Sequence, residues 1–70
     1  SEDMLQEQES IANETKAFME KWGLKNMYVA KVCGISDQTL SRFVNHRIAL
    51  ASERLDRLTK YMADYEKRNS

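Results

Sequence analysis

Only two residues in this 70-residue chain break a helix readily, Gly23 and Gly34, and proline is absent. Glycine in a helix interior costs about 1 kcal/mol relative to alanine, whereas Leu, Ala, Glu, Lys, Arg, Gln and Met, which dominate the remainder, cost little. The spacing of the two glycines therefore predicts an all-α chain. It has one long helix before Gly23, a helix of about two turns between the glycines, and further helices after Gly34.

The apolar residues follow the same division. Ile11, Thr15, Phe18, Met19 and Trp22 form one stripe at helical spacing, which predicts helix one over about 10–22. Ser10 is its expected N-cap, and Gly23 its left-handed stop. Asn26 is read as the cap of a second helix bearing Met27, Val29, Ala30, Val32 and Cys33. Apolar around much of its circumference, this helix is expected to be largely buried. Ser36 caps a third helix, about 37–45, with Ile35, Leu40, Phe43 and Val44 inward. Residues 46–51 connect it to a final helix capped by Ser52, striped by Leu55, Leu58, Met62 and Tyr65. Glu53–Arg57 and Asp56–Lys60 are i,i+4 pairs on its solvated side. Tyr61 and Tyr65 offer a candidate dimer seam.

The net charge of zero is unevenly distributed. Residues 1–14 carry five carboxylates and no Lys or Arg; the other 56 hold eleven Lys and Arg against six carboxylates. An acidic leader, residues 1–9, thus precedes a mildly basic domain, 10–68. The leader is expected to be a frayed turn, a disordered segment or partly non-native, since the chain does not begin with Met. A basic body suits a polyanionic partner. Cys33 is the sole cysteine, so no intrachain disulfide forms and the thiol is expected to act as a small buried apolar group in a reducing, cytoplasmic setting. No apolar run approaches the roughly 20 residues of a membrane span. The sequence has no nucleophile–base set, poised carboxylate pair, metal-spaced Cys/His cluster or glycine-rich phosphate loop. Neither catalysis nor a cofactor, metal or small-molecule ligand is expected.

The stretch "GISDQTLSRFVNHR", residues 34–47, carries the functional signal. Two short helices joined through a glycine-containing turn form a helix-turn-helix pattern. Ala30 is small where the helices cross, Gly34 supplies the turn, and Ile35 and Leu40 plug the crossing above Val29 and Cys33. Over residues 10–65, and most closely over Asn26–Asn45, this pattern resembles the lambda-repressor-like family of phage and bacterial regulators (the Cro and xenobiotic-response-element type). The resemblance implies a compact all-α domain of four to five helices with a central helix-turn-helix. It departs from the family in two places: His46 stands where many members have glycine, and the segment after Asn45 reads as one long helix, the usual fifth being either fused to the fourth or missing.

Carried over position by position, the resemblance implies that the third helix enters the major groove of double-stranded DNA. Asp37, Gln38, Ser41 and Arg42 would meet base edges, Gln pairing adenine and Arg pairing guanine. Lys25, Asn26, Tyr28, Lys31, Ser36, Thr39, His46 and Arg47 would meet the phosphate backbone. Asp37 suits a helix N-terminus but repels phosphates. The family implies a transcriptional repressor acting as a homodimer, here through the last helix or a domain outside this chain. Two other readings remain open. In one the helix-turn-helix is a scaffold for protein–protein interaction. In the other the acidic leader folds over Lys25, Arg42 and Arg47 and inhibits DNA binding.

Overall fold

The computed structural model describes residues 2–70, with side chains from Met4 onward. Four helices account for the described fold: α1 (Glu2–Trp22), α2 (Asn26–Cys33), α3 (Asp37–Val44) and α4 (Ser52–Asn69). Among the described residues there is no strand. At 1.5 Å per residue α1 is about 31 Å long, which sets the longest dimension of the 35 × 20 × 19 Å particle.

The first three helices end by the same backbone device. Gly23 and Gly34 sit at φ +66° and +68°. At the first end the Leu24 amide donates to the Met19 carbonyl (2.9 Å) and the Gly23 amide to that of Glu20. At the second, Ile35 donates to Ala30 (2.9 Å) and Gly34 to Lys31 (3.3 Å). Each pair satisfies the last carbonyls of its helix and reverses the chain, as a Schellman motif does. The end of α3 repeats the pattern with His46 in the glycine position: φ is +62°, the Arg47 amide donates to Arg42 (2.9 Å), and His46 donates to Phe43 (3.1 Å). A non-glycine residue here is strained. One compensation is a 2.9 Å hydrogen bond between His46 Nε2 and Asn13 Oδ1 on α1.

The core is Phe18, Met19, Val29, Ala30, Cys33, Ile35, Leu40, Phe43, Val44, Leu50, Leu58 and Met62, together with Ala12. The stripes read from the sequence supply nearly all of it. Thr15 is fully buried and returns its hydroxyl to the Ile11 carbonyl (2.7 Å), so it joins the stripe without an unsatisfied group.

Five expectations need correction. First, α1 starts at Glu2, two turns before Ser10. The buried Gln8 gives the reason: its side-chain amide donates to the Leu50 carbonyl (3.0 Å) and accepts from the Leu50 amide (2.8 Å), tying the leader to the α3–α4 connection. Second, α2 is not largely buried. Only Val29, Ala30 and Cys33 turn inward, and Met27, Tyr28 and Val32 are 68%, 52% and 49% exposed. Eight residues present a single face to the core, whatever the residues on the other face. Third, Asn26 and Ser52 are the first residues of their helices rather than caps; Lys25 and Ala51 precede them without a side-chain cap bond. Ser36 does cap α3, its Oγ accepting from the Thr39 amide (3.1 Å). Fourth, Tyr61 and Tyr65 are not an outward seam. They are half-buried against Phe18 and Trp22 of α1, with ring centroids 5.3–6.0 Å apart and mostly edge-to-face, a favourable aromatic geometry. Fifth, Glu53 and Arg57 pair at 2.9 Å, but no Asp56–Lys60 ion pair forms among the described residues.

Candidate nucleic-acid interface

The inner face of α3 is immobilised before its outer face becomes available. Leu40, Phe43 and Val44 are 0%, 1% and 8% exposed, and the Ser36 cap fixes the first turn. Helical periodicity then leaves Asp37, Gln38, Ser41, Arg42 and Asn45 outward, and all five are exposed. Gln38 and Arg42 stand one above the other at i,i+4, Ser41 and Asn45 likewise. Asn45 was not among the expected readers. Its amide donates to the Ser41 carbonyl (2.8 Å) at the end of α3, and its spacing from Ser41 is the signal that would have found it. Ser41, Arg42, Asn45 and Arg47 together line an open concavity of about 420 Å³.

The positions expected at phosphates lie on α2, on α3 and in the segments beside them. Lys25, Tyr28, Lys31, Ser36, His46 and Arg47 are exposed, and Asn26 and Thr39 are half-buried. Several already have partners. Ser36 Oγ donates to Thr39 Oγ1 (2.7 Å) while capping α3. The Asn26 side-chain amide donates to both the Asp37 carbonyl (3.0 Å) and the Asp37 carboxylate, joining the first residues of α2 and α3. His46 turns its ring to Asn13. With the asparagine oxygen as acceptor, the hydrogen lies on Nε2.

Charge on this part of the molecule is one-sided. From residue 25 to residue 47 the chain has Lys25, Lys31, Arg42 and Arg47 against the single carboxylate of Asp37. The described ion pairs lie elsewhere, Lys21–Glu66 at 3.1 Å and Arg57–Glu53 at 2.9 Å. No leader carboxylate with a described side chain covers Lys25, Arg42 or Arg47. Trp22 Nε1 and Lys21 Nζ both donate to Glu66 (3.1 Å each), and these two hydrogen bonds hold the Glu66 carboxyl below its ordinary range.

Arg57 does more than sequence reasoning assigned to it. Exposed and paired with Glu53 as expected, its guanidinium also reaches across to the end of α2. Nε donates to the Cys33 carbonyl (3.0 Å), Nη2 approaches the Gly34 carbonyl (3.5 Å), and Nη1 meets Glu53. A cation at a helix C-terminus satisfies open carbonyls and complements the dipole. Nothing in the local pattern around Arg57 signals this. Cys33 beneath it is buried, and burial pushes its thiol up in pKa, partly offset by the nearby Arg57 charge.

Among the described residues, no three His, Cys, Asp or Glu gather in a way that could hold a metal ion. Among the same residues no helix is long and apolar enough to cross a membrane. Comparison of the chain with family models, curated proteins and solved structures returns no match.

Proposed function

We propose that this chain is a lambda-repressor-like, sequence-specific DNA-binding domain that reads the major groove with α3 and regulates transcription, most simply as a repressor in a bacterial or phage-infected cell. The observation that carries the reading is the division of α3: an inner face of Leu40, Phe43 and Val44 sealed in the core, and an outer face of exposed Gln38, Ser41 and Arg42. These side chains offer the donors and acceptors that distinguish base pairs in the major groove, each good bidentate pairing being worth about 1–3 kcal/mol. Lys25, Lys31 and Arg47 flank the reader and suit phosphates, which position a protein without reading sequence. Three such contacts give a slope of log affinity against log salt of about −2.7 per chain.

The test is selection of bound duplexes from a random DNA pool, repeated at two salt concentrations. A recovered consensus with the expected salt slope supports the reading, and a palindromic one also identifies a homodimer on paired half-sites about one helical turn apart. A pool without enrichment at either salt concentration overturns it.

A second reading, protein–protein interaction on a helix-turn-helix scaffold, is favoured by the outer face of α2. Met27, Tyr28 and Val32 form an exposed apolar patch, and such patches commonly mark contact sites. On that reading DNA affinity is negligible even at low salt.

A further inference from the structure

Asp37 opens α3 with the one negative charge in a stretch, residues 25–47, that otherwise carries four cations. A carboxylate can earn such a position by accepting from a cytosine amino group. The structure gives it another partner. The Asn26 side-chain amide donates to the Asp37 carbonyl and to its carboxylate, and both residues are the first of their helices. One amide nitrogen thus meets two oxygens of one residue, the first of the helix that follows the three-residue turn Gly34–Ser36.

We infer that Asp37 is a positioning residue and not a base reader. The Asn26–Asp37 clasp fixes the start of α3 against the start of α2, and so sets the angle at which Gln38 and Arg42 are presented. The inference rests on the DNA-reading function proposed above and narrows its reading set to Gln38, Ser41 and Arg42. Three observations support it. The carboxylate already has a hydrogen-bond partner within the chain. The partner's grip on the Asp37 backbone carbonyl makes the contact sensitive to the position of the helix, not only of the side chain. The Schellman turn at Gly34 and the Arg57 guanidinium hold the other end of the same turn, so the clasp restrains the end that those contacts leave free. The free charge then acts against every DNA sequence alike, through repulsion of phosphates.

Rescue by a conservative variant separates positioning from readout. Asp37→Asn keeps a side-chain acceptor oxygen for Asn26 and removes the charge; Asp37→Ala removes the charge and the side-chain acceptor and leaves only the backbone carbonyl. Asn26→Ala breaks the clasp from the other helix, and thermal melts confirm that each variant is folded. The probes are a duplex selected by the parent chain and a scrambled duplex of equal length, together with fresh selections by each variant. The expected result is that Asp37→Asn retains the parent consensus at every position and binds both duplexes several-fold more tightly. Asn26→Ala lowers the ratio of selected to scrambled affinity by roughly tenfold, the equivalent of about 1.4 kcal/mol; Asp37→Ala, which leaves the backbone bond, lowers it by less, and the double substitution lowers it no further than Asn26→Ala alone. The inference is overturned if Asp37→Asn and Asp37→Ala both relax the same single base position, since Asp37 then reads that base. It is equally overturned if both alanine variants discriminate as the parent does. If the parent itself does not distinguish the duplexes at low salt, the DNA-reading function fails first, and it does so independently of any variant.

Discussion

Replacement of Gln8 tests how the leader becomes part of the fold. Its amide makes two hydrogen bonds to one residue, donating to the Leu50 carbonyl at 3.0 Å and accepting from the Leu50 amide at 2.8 Å. Gln8 is 8% exposed and Leu50 1%, so water does not readily replace the lost partner. Gln8→Ala leaves one buried donor and one buried acceptor unpaired, at about 1–3 kcal/mol each. The pair together spans about 2–6 kcal/mol, and imperfect exclusion of water favours the lower half of that range, about 3 kcal/mol. A 70-residue domain has a total stability of roughly 3.5–10 kcal/mol, so the loss is a large fraction of it. Gln8→Glu makes the sharper test. A carboxylate can still accept from the Leu50 amide but opposes the Leu50 carbonyl, whereas the protonated acid donates to that carbonyl as glutamine does. Burial and this hydrogen bond both raise the folded-state pKa of Glu at position 8 above its unfolded value of about 4.3. The stabilisation is therefore complete below the unfolded value and is lost as pH rises through the folded one. Urea unfolding followed by circular dichroism at pH 7 and near pH 4 measures both effects. The expected outcome is a lowered midpoint with unchanged slope for Gln8→Ala at both pH values, and a deficit at pH 7 that shrinks on acidification for Gln8→Glu. An alanine variant within about 0.5 kcal/mol of the parent, or a glutamate variant whose deficit does not depend on pH, refutes the role assigned to Gln8.

His46 gives a complementary test of backbone strain: His46→Ala keeps the left-handed residue and loses the Asn13 hydrogen bond, costing about 1 kcal/mol, whereas His46→Gly also relieves strain of about 1 kcal/mol and comes out close to neutral in the same urea assay. The Glu66 carboxyl, held low in pKa first by Trp22 and then by Lys21, contributes stability that is present above its ordinary value near 4.5 and is lost as pH falls through the depressed folded value. Glu66→Gln accordingly flattens the acid limb of the stability–pH profile, and an unchanged limb contradicts the assignment. Deletion of residues 1–9 removes Gln8, so it lowers thermal stability; tighter DNA binding by the deleted chain at unchanged stability contradicts the packing seen here and supports the inhibitory leader.

The parts of the fold that were legible in the sequence are those written in local chemistry. Gly23 and Gly34 mark two helix ends because each needs a positive φ, and Ser36 marks a start because its hydroxyl reaches the Thr39 amide. The stripes of α1, α3 and α4 identify core residues because periodicity determines which side chains share a face. Several of the contacts that were missed involve partners distant in sequence. Gln8 looks like one more polar leader residue until Leu50 is brought against it, and Arg57, a surface cation paired with Glu53 as read, shows its second role only when the end of α2 comes within reach. Tyr61 and Tyr65 could face outward until Phe18 and Trp22 meet them. The outward side of α2 was misjudged for a different reason: Met27, Tyr28 and Val32 are apolar, and composition alone cannot tell a buried apolar face from an exposed one. The candidate site was legible in its residues, since the outer face of α3 follows from its inner face, but not in its internal bonds. The Asn26–Asp37 clasp and the His46–Asn13 contact both join helices that only the fold brings together.

The central claim, that the outer face of α3 reads double-stranded DNA, is tested most directly by comparing Arg42→Ala with Lys31→Ala on a selected duplex and its scrambled counterpart across a salt series. The two residues are both exposed cations outside any described ion pair, so nonspecific charge alone predicts the same behaviour for both. Readout by α3 predicts that Arg42→Ala loses discrimination between the duplexes by about 1–3 kcal/mol, while Lys31→Ala weakens both duplexes alike and reduces the salt slope by about one. If both variants bind and discriminate as the parent does, α3 is not the reader and the account is wrong at its centre.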